Sequence, residues 1–96
     1  MFEFSALDKE KVLSGYFTSL DPLKLREFPA KQKRKYIVLS IIADTIPEKT
    51  FSEMELNFIL SEIHDDFVTI RRALIDYRFM ERTRDGKSYW KAQKKT

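Results

Sequence analysis

Cysteine is absent from the chain, so it has neither a disulfide framework nor a thiolate metal site. Histidine occurs once, at His64, which leaves little for imidazole catalysis or for a metal held by ring nitrogens. No apolar run approaches the ~20 residues of a membrane span. Met1-Phe2-Glu3-Phe4 lacks the basic region and apolar stretch of a secretory signal. Internal repeats and low-complexity segments are missing too. These absences set the expectation of a cytoplasmic protein that is not an enzyme and carries no metal or cofactor. One polar cluster, Glu53, Glu55, Asn57, His64, Asp65 and Asp66, offers oxygens to a hard cation. Helix capping accounts for several of those groups, and His64 is expected to bond a backbone group or a carboxylate.

What remains is a chain of 96 residues with 43% hydrophobic content, read as a single globular domain over 1–96. A domain of this length buries roughly 60–65% of its unfolded surface, so its stability is modest or reinforced by a partner. The net charge of +3 is unevenly spread. Residues 1–28 carry −1, residues 29–50 carry +3, residues 51–78 carry −3 and residues 79–96 carry +4. Positive charge therefore flanks the middle of the chain.

Residues 1–28 read as an N-terminal helix and a connection. Val12, Leu13, Tyr16, Phe17 and Leu20 fit one helical face, with Asp8 as the start and Leu7 against Val12 as a hydrophobic staple. Gly15 weakens the later part of this helix. Asp21 to Pro29 reads as an extended connection, since Leu23 and Leu25 alternate with Lys24 and Arg26. The core of the domain follows over 29–91. Val38, Ile41, Ile42 and Thr45 form one face of a helix that Pro47 ends, and Ile37 and Leu39 widen that face. Lys31, Lys33, Arg34 and Lys35 occupy its first turn, where cations oppose the helix dipole. This unfavourable placement suggests phosphate contacts, or else a solvated face.

Ser52 and Glu55 have capping-box spacing, and Phe51 with Leu56 has staple spacing. Leu56, Ile59, Leu60 and Ile63 continue that helix to about His64. A short turn leads into the segment 66–77, capped by Asp65 or Asp66. Here Phe67, Ile70, Leu74 and Tyr77 form the apolar stripe, while Val68, Thr69 and Arg72 point away from it and Arg71 sits at its margin. Two amphipathic helices joined by a tight turn make a helix-turn-helix. Phe79 to Thr83 and Ser88 to Trp90 then flank Asp85-Gly86, a strong hairpin signal. One of Tyr89 and Trp90 is expected to pack on the core. Lys91 to Thr96 read as a frayed polar tail, with 92–96 outside the core. The fold class is thus α+β, mainly α: a winged helix-turn-helix with an extra N-terminal helix and a C-terminal β-hairpin wing.

These residues resemble the family catalogued as domain of unknown function 2087. The resemblance runs from about Leu25 to Lys91. It rests on Pro29-Ala30-Lys31 with Lys33-Arg34, on Phe51 to Asn57, on His64-Asp65-Asp66 with Ile70 to Tyr77, and on Arg82, Asp85-Gly86 and Tyr89-Trp90. Members occur alone or fused behind a helix-turn-helix regulator domain, which implies a role in transcription regulation. At Tyr77-Arg78 this chain departs from related sequences, which often carry glycine there. Thr69-Ile70-Arg71-Arg72-Ala73-Leu74 also resembles the recognition helix of gluconate-repressor-type regulators, and that likeness implies DNA contacts by Thr69 and Arg71.

The expected function is duplex DNA binding in a transcriptional regulator or an accessory domain of one. Val68, Thr69, Arg71 and Arg72 would meet the DNA from the 66–77 helix. Lys31, Lys33, Arg34 and Lys35 would hold the backbone from the 31–35 run, and Arg84 and Lys87 from the 84–87 wing. Asp65 and Asp66 oppose this, because carboxylates repel nearby phosphates; the alternative is that one of them neutralises Arg71 or Arg72 within the fold. The alternative is a protein-protein module of a regulatory complex, with the N-terminal helix pairing two copies or docking on a partner regulator.

Overall fold

Caps and apolar spacing decide where the helices lie. The computed structural model describes residues 2–92. The elements are α1 (Ala6–Tyr16), β1 (Phe17–Leu20), β2 (Leu23–Leu25), α2 (Gln32–Thr45), β3 (Phe51–Ser52), α3 (Glu53–Ser61), α4 (Phe67–Asp76), β4 (Met80–Arg82) and β5 (Ser88–Lys91). The described residues are α+β, with four helices and two small antiparallel sheets. None of their helices is long and apolar enough to cross a membrane.

α1 begins earlier than its apolar pattern suggests. Ser5 is the N-cap, and Ser5 and Asp8 form a reciprocal capping box, so Asp8 is the third helical residue. Val12 is buried, but Leu7 is 59% exposed and forms no staple with it. Phe17 and Leu20 leave the helix for β1, which pairs with β2 across the Asp21-Pro22 turn. The expected extended connection is thus one strand of a hairpin.

β2 then docks on the α3–α4 turn. The Leu25 N–H donates to the Ile63 carbonyl at 2.8 Å, and His64 Nδ1 lies 3.1 Å from the Leu25 carbonyl. Lys24 Nζ donates to the Glu62 carbonyl at 2.5 Å. The lone histidine therefore joins the N-terminal hairpin to the helix pair.

α2 supplies the centre of the core through Ile37, Val38, Leu39, Ile41 and Ile42, all buried. Phe51 and Leu56, at staple spacing, are both buried beside the Ser52–Glu55 capping box. α3 stops at Ser61, a little before the expected His64. From α4, Ile70, Ala73 and Leu74 are buried, and Phe67 and Tyr77 pack against them half-buried. Tyr36 of α2 gathers Phe2, Phe4, Tyr77 and Phe79 at ring-centroid distances of 5.6, 6.1, 6.5 and 4.9 Å.

The second sheet has the order β3-β5-β4. Phe51 pairs with Tyr89, and Arg82 with Tyr89 from the other side, so β5 is the middle strand. Tyr89 is the aromatic that packs on the core, while Trp90 is half-buried. Lys91 is not part of a frayed tail: it ends β5, and its Nζ donates to the Ile46 carbonyl at 3.1 Å. Ala92 of the expected tail is held as well, its N–H donating to the Phe79 carbonyl at 3.0 Å, and residues 93–96 lie outside the described residues.

Candidate nucleic-acid interface

α4 is fixed at both ends, which sets what its outer side presents. Asp66 is the N-cap; its carboxylate accepts from the Thr69 N–H at 3.4 Å and from Thr69 Oγ1 at 2.7 Å. At the other end the Arg78 N–H donates to the Ile75 carbonyl and the Phe79 N–H to the Leu74 carbonyl, at 3.0 and 2.9 Å. That pair of bonds is a Schellman motif, with Arg78 in the left-handed position at φ 64°. Glycine occupies such positions freely, whereas a residue with a Cβ gives up about 1–2 kcal/mol there.

The two arginines of α4 have different surroundings. Arg71 reaches back to α3, with Nη1 donating to Asn57 Oδ1 at 2.5 Å and Nη2 3.2 Å from Glu53 Oε1. Its side chain is only 14% exposed, and its guanidinium carbon lies 6.0 Å from the centre of the Tyr89 ring. Arg71 is therefore paired within the fold, but with Glu53 and not with Asp65 or Asp66. Arg72 is exposed and, among the described residues, forms no ion pair. Val68, Thr69 and Asp65 are exposed beside it.

The hairpin turn is closely built. The Gly86 N–H donates to the Thr83 carbonyl at 3.0 Å, with Gly86 at φ 73°. Asp85 accepts from Thr83 Oγ1 at 2.7 Å and from the Lys87 N–H at 3.0 Å, and these bonds hold its carboxyl below the usual range. Arg84 and Lys87 project from this turn, both exposed. Between α4 and the hairpin lies a groove of about 400 Å³, lined by Arg71, Arg72, Asp76, Arg82 and Tyr89 among others. The structure thus brings Arg72 to the hairpin.

The basic run sits elsewhere. Lys31 is the N-cap of α2 and makes no side-chain cap bond. Lys33 Nζ lies 3.4 Å from Asp8 Oδ2, Arg34 Nη1 donates to Tyr16 Oη at 3.2 Å, and Lys35 Nζ lies 5.7 Å from the Phe28 ring centre. Lys33 and Arg34 line a separate groove, against α1. The unfavourable charge at the start of α2 thus has an internal use, in holding the N-terminal segment.

Sequence reasoning assigned no role to Arg78 or Arg82, which with Arg84 line a second groove, between the end of α4 and the hairpin. The recurrence of arginine at 78, 82 and 84 is the signal that could have found them. Apart from Asp65, the members of the polar cluster around the α3–α4 turn are engaged: Glu55 with Ser52, Glu53 and Asn57 with Arg71, His64 with Leu25, and Asp66 with Thr69.

A central helix pair with a β-hairpin, closed by an N-terminal helix and hairpin, defines this class of small α+β domain. The chain belongs to the family described as "Uncharacterized protein conserved in bacteria (DUF2087)", whose model matches residues 24–91. No curated protein and no solved structure matched the chain.

Proposed function

We propose that the chain is a winged helix-turn-helix that binds duplex DNA, as a transcriptional regulator or an accessory domain of one. In this reading α2, α3 and α4 are the three helices, β4 and β5 the wing, and α1 with β1–β2 an N-terminal addition. The element order and the β3-β5-β4 sheet support it. The observation that carries it is the outer side of α4, where Val68, Thr69 and Arg72 are exposed and Arg72 shares a groove with Arg82 of the hairpin.

A recognition helix turns its N-terminal residues to base edges. Arg72 has the free guanidinium needed to bond guanine O6 and N7 together. Arg84 and Lys87 meet phosphates from the wing, and Lys31 adds a further cation. Arg71 orients α4 and does not read DNA itself. Lys33, Arg34 and Lys35 contribute long-range charge while their side chains hold the N-terminal segment. Asp66 is occupied as a cap. The repulsion from Asp65 is screened beyond a Debye length of about 8 Å at physiological salt.

The test is fluorescence anisotropy with random and genomic duplex DNA over a salt series. Log affinity falls with log salt at about −0.9 per neutralised phosphate. No binding at about 50 mM salt, where phosphate contacts are strong, contradicts the reading.

One observation favours the second reading, a protein-protein module without DNA contact. Met54 and Phe58 lie one helical turn apart on α3, 80% and 67% exposed. That reading moves the protein contact from α1, whose Val12 is already buried in the fold, to α3. Sedimentation of the protein alone against a Phe58→Asp variant tests whether the α3 patch pairs two copies.

A further inference from the structure

Arg78 holds a backbone conformation that disfavours any residue with a Cβ, at φ 64°, in a motif that glycine would complete without strain. Strain of this kind clusters at functional sites. Arg78 lines a groove of about 860 Å³ between the end of α4 and the hairpin. Arg82 and Arg84 line the same groove. Arg82 is held in place, because its Nη1 donates to the carbonyls of Thr83 and Arg84 at 3.1 and 3.2 Å. Among the described residues none of the three arginines forms an ion pair.

Asp76 and Glu81 also line the groove, so three guanidiniums against two carboxylates leave a net charge of +1. One surplus charge suits a phosphodiester, which carries a single negative charge, better than a free phosphate dianion. Guanidinium groups also match the paired oxygens of a phosphodiester, to which they donate two parallel hydrogen bonds.

We infer that Arg78, with Arg82 and Arg84, forms a contact site for a nucleic-acid phosphodiester in this groove between the end of α4 and the hairpin. The inference rests on the nucleic-acid reading above and adds two residues to it. Arg82 is pre-organised by the turn carbonyls, and Arg78 lines the same groove from the end of α4. The site extends the DNA track from the outer side of α4 along the wing.

Two variants separate this role from a structural one. Arg78→Gly removes both the charge and the strain, so Tm rises by several degrees while duplex affinity falls about five- to ten-fold at ~0.1 M salt. Arg78→Gln keeps the strained backbone, so Tm stays near that of the wild type and affinity falls equally. In both, the salt slope shrinks by about 0.9, one phosphate. Wild-type affinity and slope in both variants would overturn the inference and leave the DNA reading standing. Should the unmodified protein bind no duplex, the DNA reading fails and single-stranded DNA and inorganic pyrophosphate become the probes. Single-strand binding weakened by Arg78→Gln sustains the site. Binding of pyrophosphate alone, or of neither probe, overturns it.

Discussion

Arg71 on α4 donates from Nη1 to Oδ1 of Asn57 on α3, tying two side chains fourteen positions apart. The same guanidinium meets Glu53 at the start of α3 and lies over Tyr89 of β5. One arginine therefore sets α4 against both α3 and the sheet. Replacing it with Ala leaves Asn57 and Glu53 without their partner. Arg71→Ala should lower unfolding free energy by about 1–3 kcal/mol in urea titrations. Arg71→Lys should recover only part of it, because an ammonium cannot form the same fork. Arg72→Ala should stay within about 0.5 kcal/mol of the wild type.

Ser52 joins two roles, as N-cap of α3 and as the partner of Ser88 in β3. Ser52→Ala removes the hydroxyl that accepts from the Glu55 N–H, leaving the backbone pairing intact. The expected cost is about 1 kcal/mol, read from the urea midpoint with an unchanged m-value.

Among the described residues, three carboxyl groups sit below their ordinary pKa. The Ser52 N–H lowers Glu55, the Ser5 N–H lowers Asp8, and the Thr83 hydroxyl lowers Asp85. A depressed folded pKa gives stability that is present above the unfolded pKa and lost as pH falls through the folded one. Stability should therefore hold from neutral pH to about pH 5 and decline as pH drops below about 4, the ordinary carboxylate range. Glu55→Gln should show a shallower decline over that window in pH-dependent urea midpoints.

Lys33 and Arg34 face α1, so their loss should be felt there. In Lys33→Ala/Arg34→Ala, amide exchange in residues 6–16 should rise several-fold, while exchange in α3 and α4 stays unchanged. Equal protection of α1 in the variant and the wild type would show that these cations do not hold it.

The parts of this fold legible in the sequence are those encoded within a few residues. The Ser52–Glu55 box, the Phe67–Ile70–Leu74 stripe and the Asp85-Gly86 turn each need only a local pattern, and each is present. The Ser5–Asp8 box was equally local, but the apolar spacing from Val12 drew the helix start to Asp8. Phe17 and Leu20 fit a helical face as well as they fit a strand, and β1 is decided by its pairing with β2. β3 has two residues and exists only because Phe51 meets Tyr89 far along the chain. The same limit applies to the site. That Arg72 lies off the apolar stripe follows from helical period. That Arg71 has Glu53 and Asn57 for partners follows from how α3 and α4 cross.

The central claim is that DNA lies along α4 and the hairpin, and that Lys33 and Arg34 of α2 hold α1 and meet no phosphate. Its most direct test compares the salt slope of duplex binding in Arg84→Ala/Lys87→Ala with that in Lys33→Ala/Arg34→Ala. Loss of two phosphate contacts at the hairpin should reduce the slope by about 1.8, and the α2 pair should leave it near the wild-type value. A slope reduced by the α2 pair and untouched by the hairpin pair would contradict the account.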